Sequence, residues 1–200
     1  MAEQQEQEVS KELKFEPKHN CCAFIGTLDD KYSEFQGMID FLRRSRIVHA
    51  IAQPCTIYRD HQVEFWENAV LTFWENRSVI QSKIQGKMIL VGEQDFREVL
   101  RLEDKYEDPI SLPWTVQRAC FLRMKYNGPI NTCQLHKANL SPPFKYLLHV
   151  ILHVFGPVRG GFDVLRDSLS SLVVALTLNK EFNVSGMIFN HMREVFEGED

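Results

Sequence analysis

LSPPFKYLLHVILHVF, residues 140–155, decides how the rest of the chain is read. Phe144, Leu147, Leu148, Ile151, Leu152 and Phe155 recur at i, i+3, i+4, i+7, i+8 and i+11, the spacing of one face of an α-helix. Val150 and Val154 carry the apolar surface round its side, and only Lys145, Tyr146, His149 and His153 form a polar arc. Ser141 is placed to N-cap, Pro142 suits the first helical position, and Gly156-Pro157 ends the run. A helix apolar around most of its circumference must be covered by other elements. The expectation is a mainly α protein: a single helical domain around a central apolar helix (about 142–155), with one small β-hairpin (about 78–91).

Downstream, GPVRGG reads as a turn, and FDVLRDSLSSLVVALTL (162–178) as a helix with Leu165, Leu169, Leu172, Val173 and Leu176 toward the core. Ser168, Ser171 and Ala175 make a strip of small residues where a second helix can approach closely. Val184, Met187, Ile188, Met192, Val195 and Phe196 mark a final helix. Upstream, Pro113 opens a helix through Met124, with Val116, Cys120, Phe121 and Met124 inward, after the acidic loop 103–109. A short helix at about 93–101 packs through Phe96, Val99 and Leu100, with Glu93 or Asp95 favourably at its N-terminus.

The β-branched and aromatic stretch before it, with a turn at Gln85-Gly86-Lys87, reads as strands at about 78–84 and 87–91. Two helices precede the hairpin. One is capped by Asp29 or Asp30, with Tyr32, Phe35, Ile39 and Leu42 on a face. The other runs from about Ile57 to Val70, with Val63, Trp66, Val70 and Phe73 inward. Residues 1–18, rich in Gln, Glu and Lys, read as a disordered tail, and residues 19–197 as one domain.

The composition is that of an ordinary globular protein: 200 residues, 44% apolar and 25% charged, ample for a proper core. A net charge of −4 gives no long-range pull toward nucleic acid or an anionic membrane. The opening MAEQQEQE has neither a basic start nor a hydrophobic run, so a secretory signal is not expected. The apolar stretches fall short of the ~18 residues of a membrane span. Five cysteines, an odd and irregularly spaced set, fit reduced thiols in nucleus or cytoplasm.

Chemistry is harder to find. His149 and His153 stand four apart, close enough to share a metal ion, but the spacer is Val-Ile-Leu, without the Glu of the zinc-protease motif. Cys133 and His136 have ligand spacing that His19, Cys21 and Cys22 could complete, yet no zinc-knuckle series exists. No metal site and no cofactor is therefore expected. Asp40, Asp95 and Asp163 fall on segments read as helices, not at the ends of buried strands where a metal-dependent nuclease needs them. Arg43, Arg44 and Arg46 form a small basic cluster that could contact nucleic acid. Trp66, Trp74 and Trp114 read as core or capping aromatics.

Five blocks carry a resemblance: TIYRDHQVEFWENA (56–69), GKMILVGEQDFREVLRLED (86–104), LPWTVQRACFLRMKY (112–126), LSPPFKYLLHVILHVF (140–155) and LTLNKEFNVSGMIFNHM (176–192). In order and spacing they resemble a domain near the N-terminus of plant retrotransposon-derived polyproteins, similar also to the putative plant transposon protein and aminotransferase-like plant mobile domain family. The family's T-I-Y with F-W seven residues past the Tyr stands here as Tyr58 and Phe65-Trp66. Its G-K and L-x-L-x-D stand as Gly86-Lys87 and Leu100, Leu102 and Asp104. Its S-P-x-W-K-[FY]-L-[IL]-H spans Ser141 to His149, and Asn179, Phe182, Asn183, Ser185, Ile188 and Phe189 match its last block. Phe144 and Phe162 stand where the family has Trp, which keeps an aromatic plug without the indole donor.

The resemblance implies no catalytic mechanism, since the matched positions are mostly apolar or capping. It implies a non-catalytic scaffold or interaction domain that binds a protein or itself, in nucleus or cytoplasm and not in a membrane. Lys145, Tyr146, His149 and His153 are then the candidate binding residues. A nucleic-acid-binding accessory protein acting through Arg43, Arg44 and Arg46 is the alternative, and a metal-dependent hydrolase the third reading.

Overall fold

A computed structural model describes residues 22–130, 135–156 and 163–197. Eight α-helices and five short strands follow one another among these residues. A 3-10 turn (Asp30–Phe35) leads into α1 (Gln36–Arg43), followed by α2 (Val48–Ala52) and α3 (Arg59–Asn68). Strands β1 (Val70–Trp74), β2 (Arg77–Ile84) and β3 (Lys87–Val91) form an antiparallel sheet in that order, and α4 (Glu93–Val99) comes next. Then come α5 (Trp114–Arg123), β4 (Leu135–His136), α6 (Pro142–Phe155), β5 (Val164–Leu165), α7 (Asp167–Leu178) and α8 (Val184–Glu197). No helix among the described residues is long and apolar enough to cross a membrane.

The protein is thus mainly helical with a small antiparallel sheet. The expected hairpin is present, but a third strand precedes it. Val63, Trp66, Val70 and Phe73 have helical spacing, yet the helix stops at Asn68 and residues 70–74 pair with β2, Leu71 opposite Ile80 and Trp74 opposite Arg77. The decisive signal is the two-residue turn Glu75-Asn76, both at positive φ (48° and 63°), the backbone that lets two strands double back with the right twist. Gln85-Gly86 repeats it at 50° and 74°. Consequently Val63, Trp66, Val70, Phe73 and Trp74 are exposed rather than inward. The sheet rests on α3, where Ser82 Oγ donates to Phe65 O (2.6 Å) and Gln85 N to the Glu64 carboxylate (2.9 Å).

The 16-residue stretch read first does become a helix, α6, and Leu147, Leu148, Val150, Ile151 and Leu152 are buried. Pro142 occupies its first position as expected, but Ser141 makes no side-chain cap bond. It ends at Gly156, whose backbone turns extended while its N–H donates to Leu152 O (3.0 Å); a Cβ there would collide with that oxygen. The deeper helix is α7. Leu169 through Leu176 are buried without interruption, and α5 and α6 both pack against it. One cluster of buried side chains runs from Leu42 to Met187, joining α1, α5, α6, α7 and α8. Leu165, placed in the α7 helix by its spacing, instead sits in β5 opposite Leu135, both wholly buried.

Val99, expected to pack, faces solvent instead. Val99 (72% exposed) leaves the core to Leu102, because Arg101 at φ 50° reverses the chain after α4. Val195 is exposed near the end of α8. Tyr32 is also exposed, since the segment before α1 winds as a 3-10 turn with three residues per turn and shifts it off the Ile39–Leu42 face. Asp163 precedes β5 rather than lying on a helix. The tail 1–18 lies outside the described residues, as do His19, Cys21, Cys133 and Phe162.

Candidate functional site

The polar arc of α6 separates into two parts. Tyr146 faces the start of the described chain: its hydroxyl donates to Phe24 O (2.8 Å) and its ring meets the edge of Phe35. Burial pushes its pKa up, so it stays a neutral donor. Lys145 is half-buried beside it. One turn further on, His149 and His153 bring their rings to 4.0 Å between centroids. The pKa of His149 is lowered, first by burial and then by the charges of His153 and Lys137. A neutral imidazole is the form that accepts a proton or binds a metal. Among the described residues, however, no three His, Cys, Asp or Glu side chains are placed to hold a metal ion.

The three arginines all have partners within the chain. Arg43 donates through Nε and Nη2 to Ile25 O (3.1 and 2.7 Å), through Nη2 to Gly26 O (3.1 Å), and through Nη1 to Asp40 (2.9 Å). Arg44 Nε donates to Asp40 O (3.1 Å). Arg46 bridges to Glu181 and Asn179, both at 3.0 Å, and so fastens the α1–α2 connection to the α7–α8 turn. Arg43 and Tyr146 together strap residues 24–26 across α1 and α6. Arg43 and Arg46 join separate parts of the fold, whereas Arg44 bonds back onto its own helix α1.

The most developed polar cluster was not anticipated. Asp104 is 5% exposed; its carboxylate accepts from Arg97 Nε (2.8 Å), Ser185 N (2.7 Å) and Ser185 Oγ (2.9 Å). Arg97 also donates to Glu93 (2.5 Å), which accepts from Asn183 Nδ2 (3.0 Å). Asn183 Oδ1 in turn accepts Gly186 N (2.7 Å). Burial opposes the charge on Arg97, yet its bonds to Asp104 and Glu93 outweigh that and hold its pKa above the usual value.

The arrangement is a clamp. Asp104 caps the first turn of α8 from a distant loop, a carboxylate facing the positive end of the helix dipole. A buried acid with a charged neighbour often marks an active site, but here both oxygens are taken by backbone and side-chain donors. The clue in the sequence was Asp104 closing the apolar alternation Leu100-Arg101-Leu102 just where Asn183 and Ser185 open a helix.

A second buried cluster ties α5 to α7. Gln117, wholly buried, donates to Leu112 O (2.7 Å) and Asp167 (2.8 Å) and accepts from Ser170 Oγ. Ser171 Oγ accepts Leu112 N (2.9 Å), so the strip of small residues serves as a hydrogen-bonded seam. Ser168 Oγ lies 2.9 Å from His191 Nε2. The His191 pKa is lowered, burial being the largest cause. Asp40 and Asp95 likewise have local duties, Asp40 pairing with Arg43 and Asp95 accepting Gly92 N (2.7 Å) at the start of α4.

Compared with protein-family models, with curated proteins and with solved structures, the chain matches none.

Proposed function

We propose that this chain is a non-catalytic interaction domain of the plant retrotransposon-derived type, working by binding a protein partner or a second copy of itself in the nucleus or cytoplasm. In this reading α6 is the central support, and Lys145, His149 and His153 offer a secondary contact surface. The observation that carries it is the division between polar and apolar side chains. Asp104, Asn183 and Ser185, three of the polar residues in the matched blocks, are turned inward to hold α8. Meanwhile Tyr58, Val63, Trp66, Val70, Phe73 and Trp74 are each at least 40% exposed along α3 and the strand that follows it. Exposed aromatics gathered in one stretch favour protein contacts, where Trp and Tyr carry much of the binding energy.

The test pairs light scattering of the full chain over a concentration series with quantitative partner capture from native extract, for the natural sequence and for Trp66→Ser with Tyr58→Ser. Association or capture that weakens with the substitutions supports the reading. A chain that remains monomeric and captures the same proteins with or without Trp66 and Tyr58 overturns it.

A further inference from the structure

Between Asp108 and Asp163 the sequence contains no Asp or Glu. That stretch holds Arg118, Arg123, Lys125, Lys137, Lys145 and Arg159, while all 27 acidic residues lie outside it. The net charge of −4 therefore joins two unlike parts, a cationic middle and an acidic remainder. At physiological salt an exposed charge is felt over about 8 Å, so a local excess counts even in an acidic chain.

The fold gathers this excess on one face. Arg118, Leu122 and Lys125 follow at i, i+4 and i+7 along the exposed side of α5, with Arg123 at its rim. Just beyond, Asn127 N donates to Asn139 O (2.8 Å) and Asn139 Nδ2 to the Tyr126 hydroxyl (3.2 Å). These bonds set the end of α5 against the 3-10 turn Lys137–Asn139 that leads into α6. Lys137 stands close enough to His149 for its charge to lower the pKa of that ring. Lys145, His149 and His153 then continue along α6 at four-residue intervals. Elsewhere Arg43, Arg46, Arg97 and Arg193 are each paired with a carboxylate. Among the described residues, by contrast, the side chains of Arg118, Arg123, Lys125 and Lys145 make no hydrogen bond or ion pair, and Lys137 meets Asp163 at 3.6 Å.

We infer that this face, from the exposed side of α5 to the polar arc of α6, docks the phosphate backbone of a nucleic acid through Arg118, Arg123, Lys125, Lys137 and Lys145. The cations are spread out: on α6 alone, Lys145 and His153 lie about 12 Å apart at the helical rise. Such a row suits a polymer with a charge on every repeat better than one phosphate group. Binding a membrane surface takes a broad apolar face as well, and Leu122 is the exposed large hydrophobic of α5 and α6. A protein interface is centred on aromatic side chains and poor in Lys, and no exposed aromatic lies on either helix. Contacts of this kind hold phosphates and carry no base sequence. The inference goes beyond the protein-interaction reading and gives the α6 surface a partner of its own. It uses neither α3 nor β1, so the two stand or fall separately.

Fluorescence anisotropy of the full chain with labelled mixed-sequence DNA and RNA strands, over a salt series, tests this. Binding should be micromolar near ~0.1 M salt, alike for unrelated sequences and steeply weakened by added salt. Arg118→Gln combined with Lys125→Gln and Lys145→Gln should weaken it at least ~tenfold and flatten the salt slope by about one unit per residue replaced. Arg44→Gln on α1 should change neither. Circular dichroism of the triple variant should match the natural chain. If that variant fails to fold, cross-linking of the natural chain decides, with adducts expected on residues 118–149. Failure to bind either strand at low salt overturns the inference, as does binding that the triple substitution leaves intact or adducts confined to other regions. Equal affinity for polyglutamate or for vesicles of anionic lipid overturns nucleic acid as the occupant. Binding lost with Trp66→Ser and Tyr58→Ser but kept in the triple variant overturns the location.

Discussion

Along α7, residues 169–176 are all buried, and the serines among them are tied to α5 by hydrogen bonds. In α3 no residue is buried, and the strand after it leaves Phe73 and Trp74 in solvent. The two regions differ in sequence and in treatment: α7 is nearly all apolar or small and is covered, whereas α3 and β1 mix charged residues with large aromatics and leave several of those aromatics exposed. In the helical core, the buried side chains of Gln117, Ser170, Ser171, Asp104, Asn183 and Ser185 all have hydrogen-bond partners, as a low-dielectric interior demands. In the sheet layer, Ile80 and Val79 are the buried apolar residues and neither belongs to the main core cluster. The lesson is that apolar periodicity locates elements but does not say which face another element will cover.

Substitutions can break or sharpen this contrast. The largest loss should come from Asp104→Ala, which leaves the buried Ser185 amide without its acceptor and Arg97 with Glu93 as its remaining carboxylate partner. Removing one partner of a buried pair costs about 3–5 kcal/mol, and chemical denaturation with fluorescence and circular dichroism would measure it. A loss below about 1 kcal/mol, typical of exposed pairs, would mean that the clamp is hydrated. Next, Leu172→Ala in α7 should cost about 2–5 kcal/mol as a cavity opens. Phe73→Ala in β1, measured on monomeric protein, should stay within about 0.5 kcal/mol. Equal losses at the two positions would erase the contrast.

The smallest effect should be that of pH. His149 and His191 both have pKa values lowered in the fold, burial being the first cause of each. Between those values and the ordinary value near ~6.5, the unfolded chain binds more protons, so stability rises with pH and falls on acidification. The melting temperature should drop as pH is lowered through that window. His191→Gln, able to keep a hydrogen bond to Ser168, should flatten part of the slope; an unchanged slope would assign it elsewhere.

Much of the helical core was legible in sequence. The face of α6 from Leu147 to Leu152 and that of α7 from Leu169 to Leu176 were both set by local spacing, reinforced by Pro142 and Gly156. What spacing could not show was β1, since Val63, Trp66, Val70 and Phe73 satisfy helical periodicity across a boundary created by Glu75-Asn76. Reading that dipeptide as a turn would have recovered the third strand. The candidate site residues were less legible for a related reason. Tyr146, Arg43 and Arg46 look like an open polar surface in sequence, but their partners Phe24, Ile25 and Glu181 lie more than a hundred residues away or, for Ile25, eighteen. No local pattern announces such a contact, and the Asp104 clamp was missed in the same way.

That clamp also governs when the fold can be completed. Ser185 lies 81 residues beyond Asp104, and closing so long a loop must precede any gain from the contact. During synthesis Arg97, Asp104 and Glu93 therefore emerge well before the amides and hydroxyl they are built to hold. Until the chain has been made past Ser185, water must serve them instead, and the α4 region has no packed neighbour in α8. A helix made some eighty residues later is thus the latch for α4, and a chain stalled before Ser185 would be left with three charged groups facing an unbuilt interior.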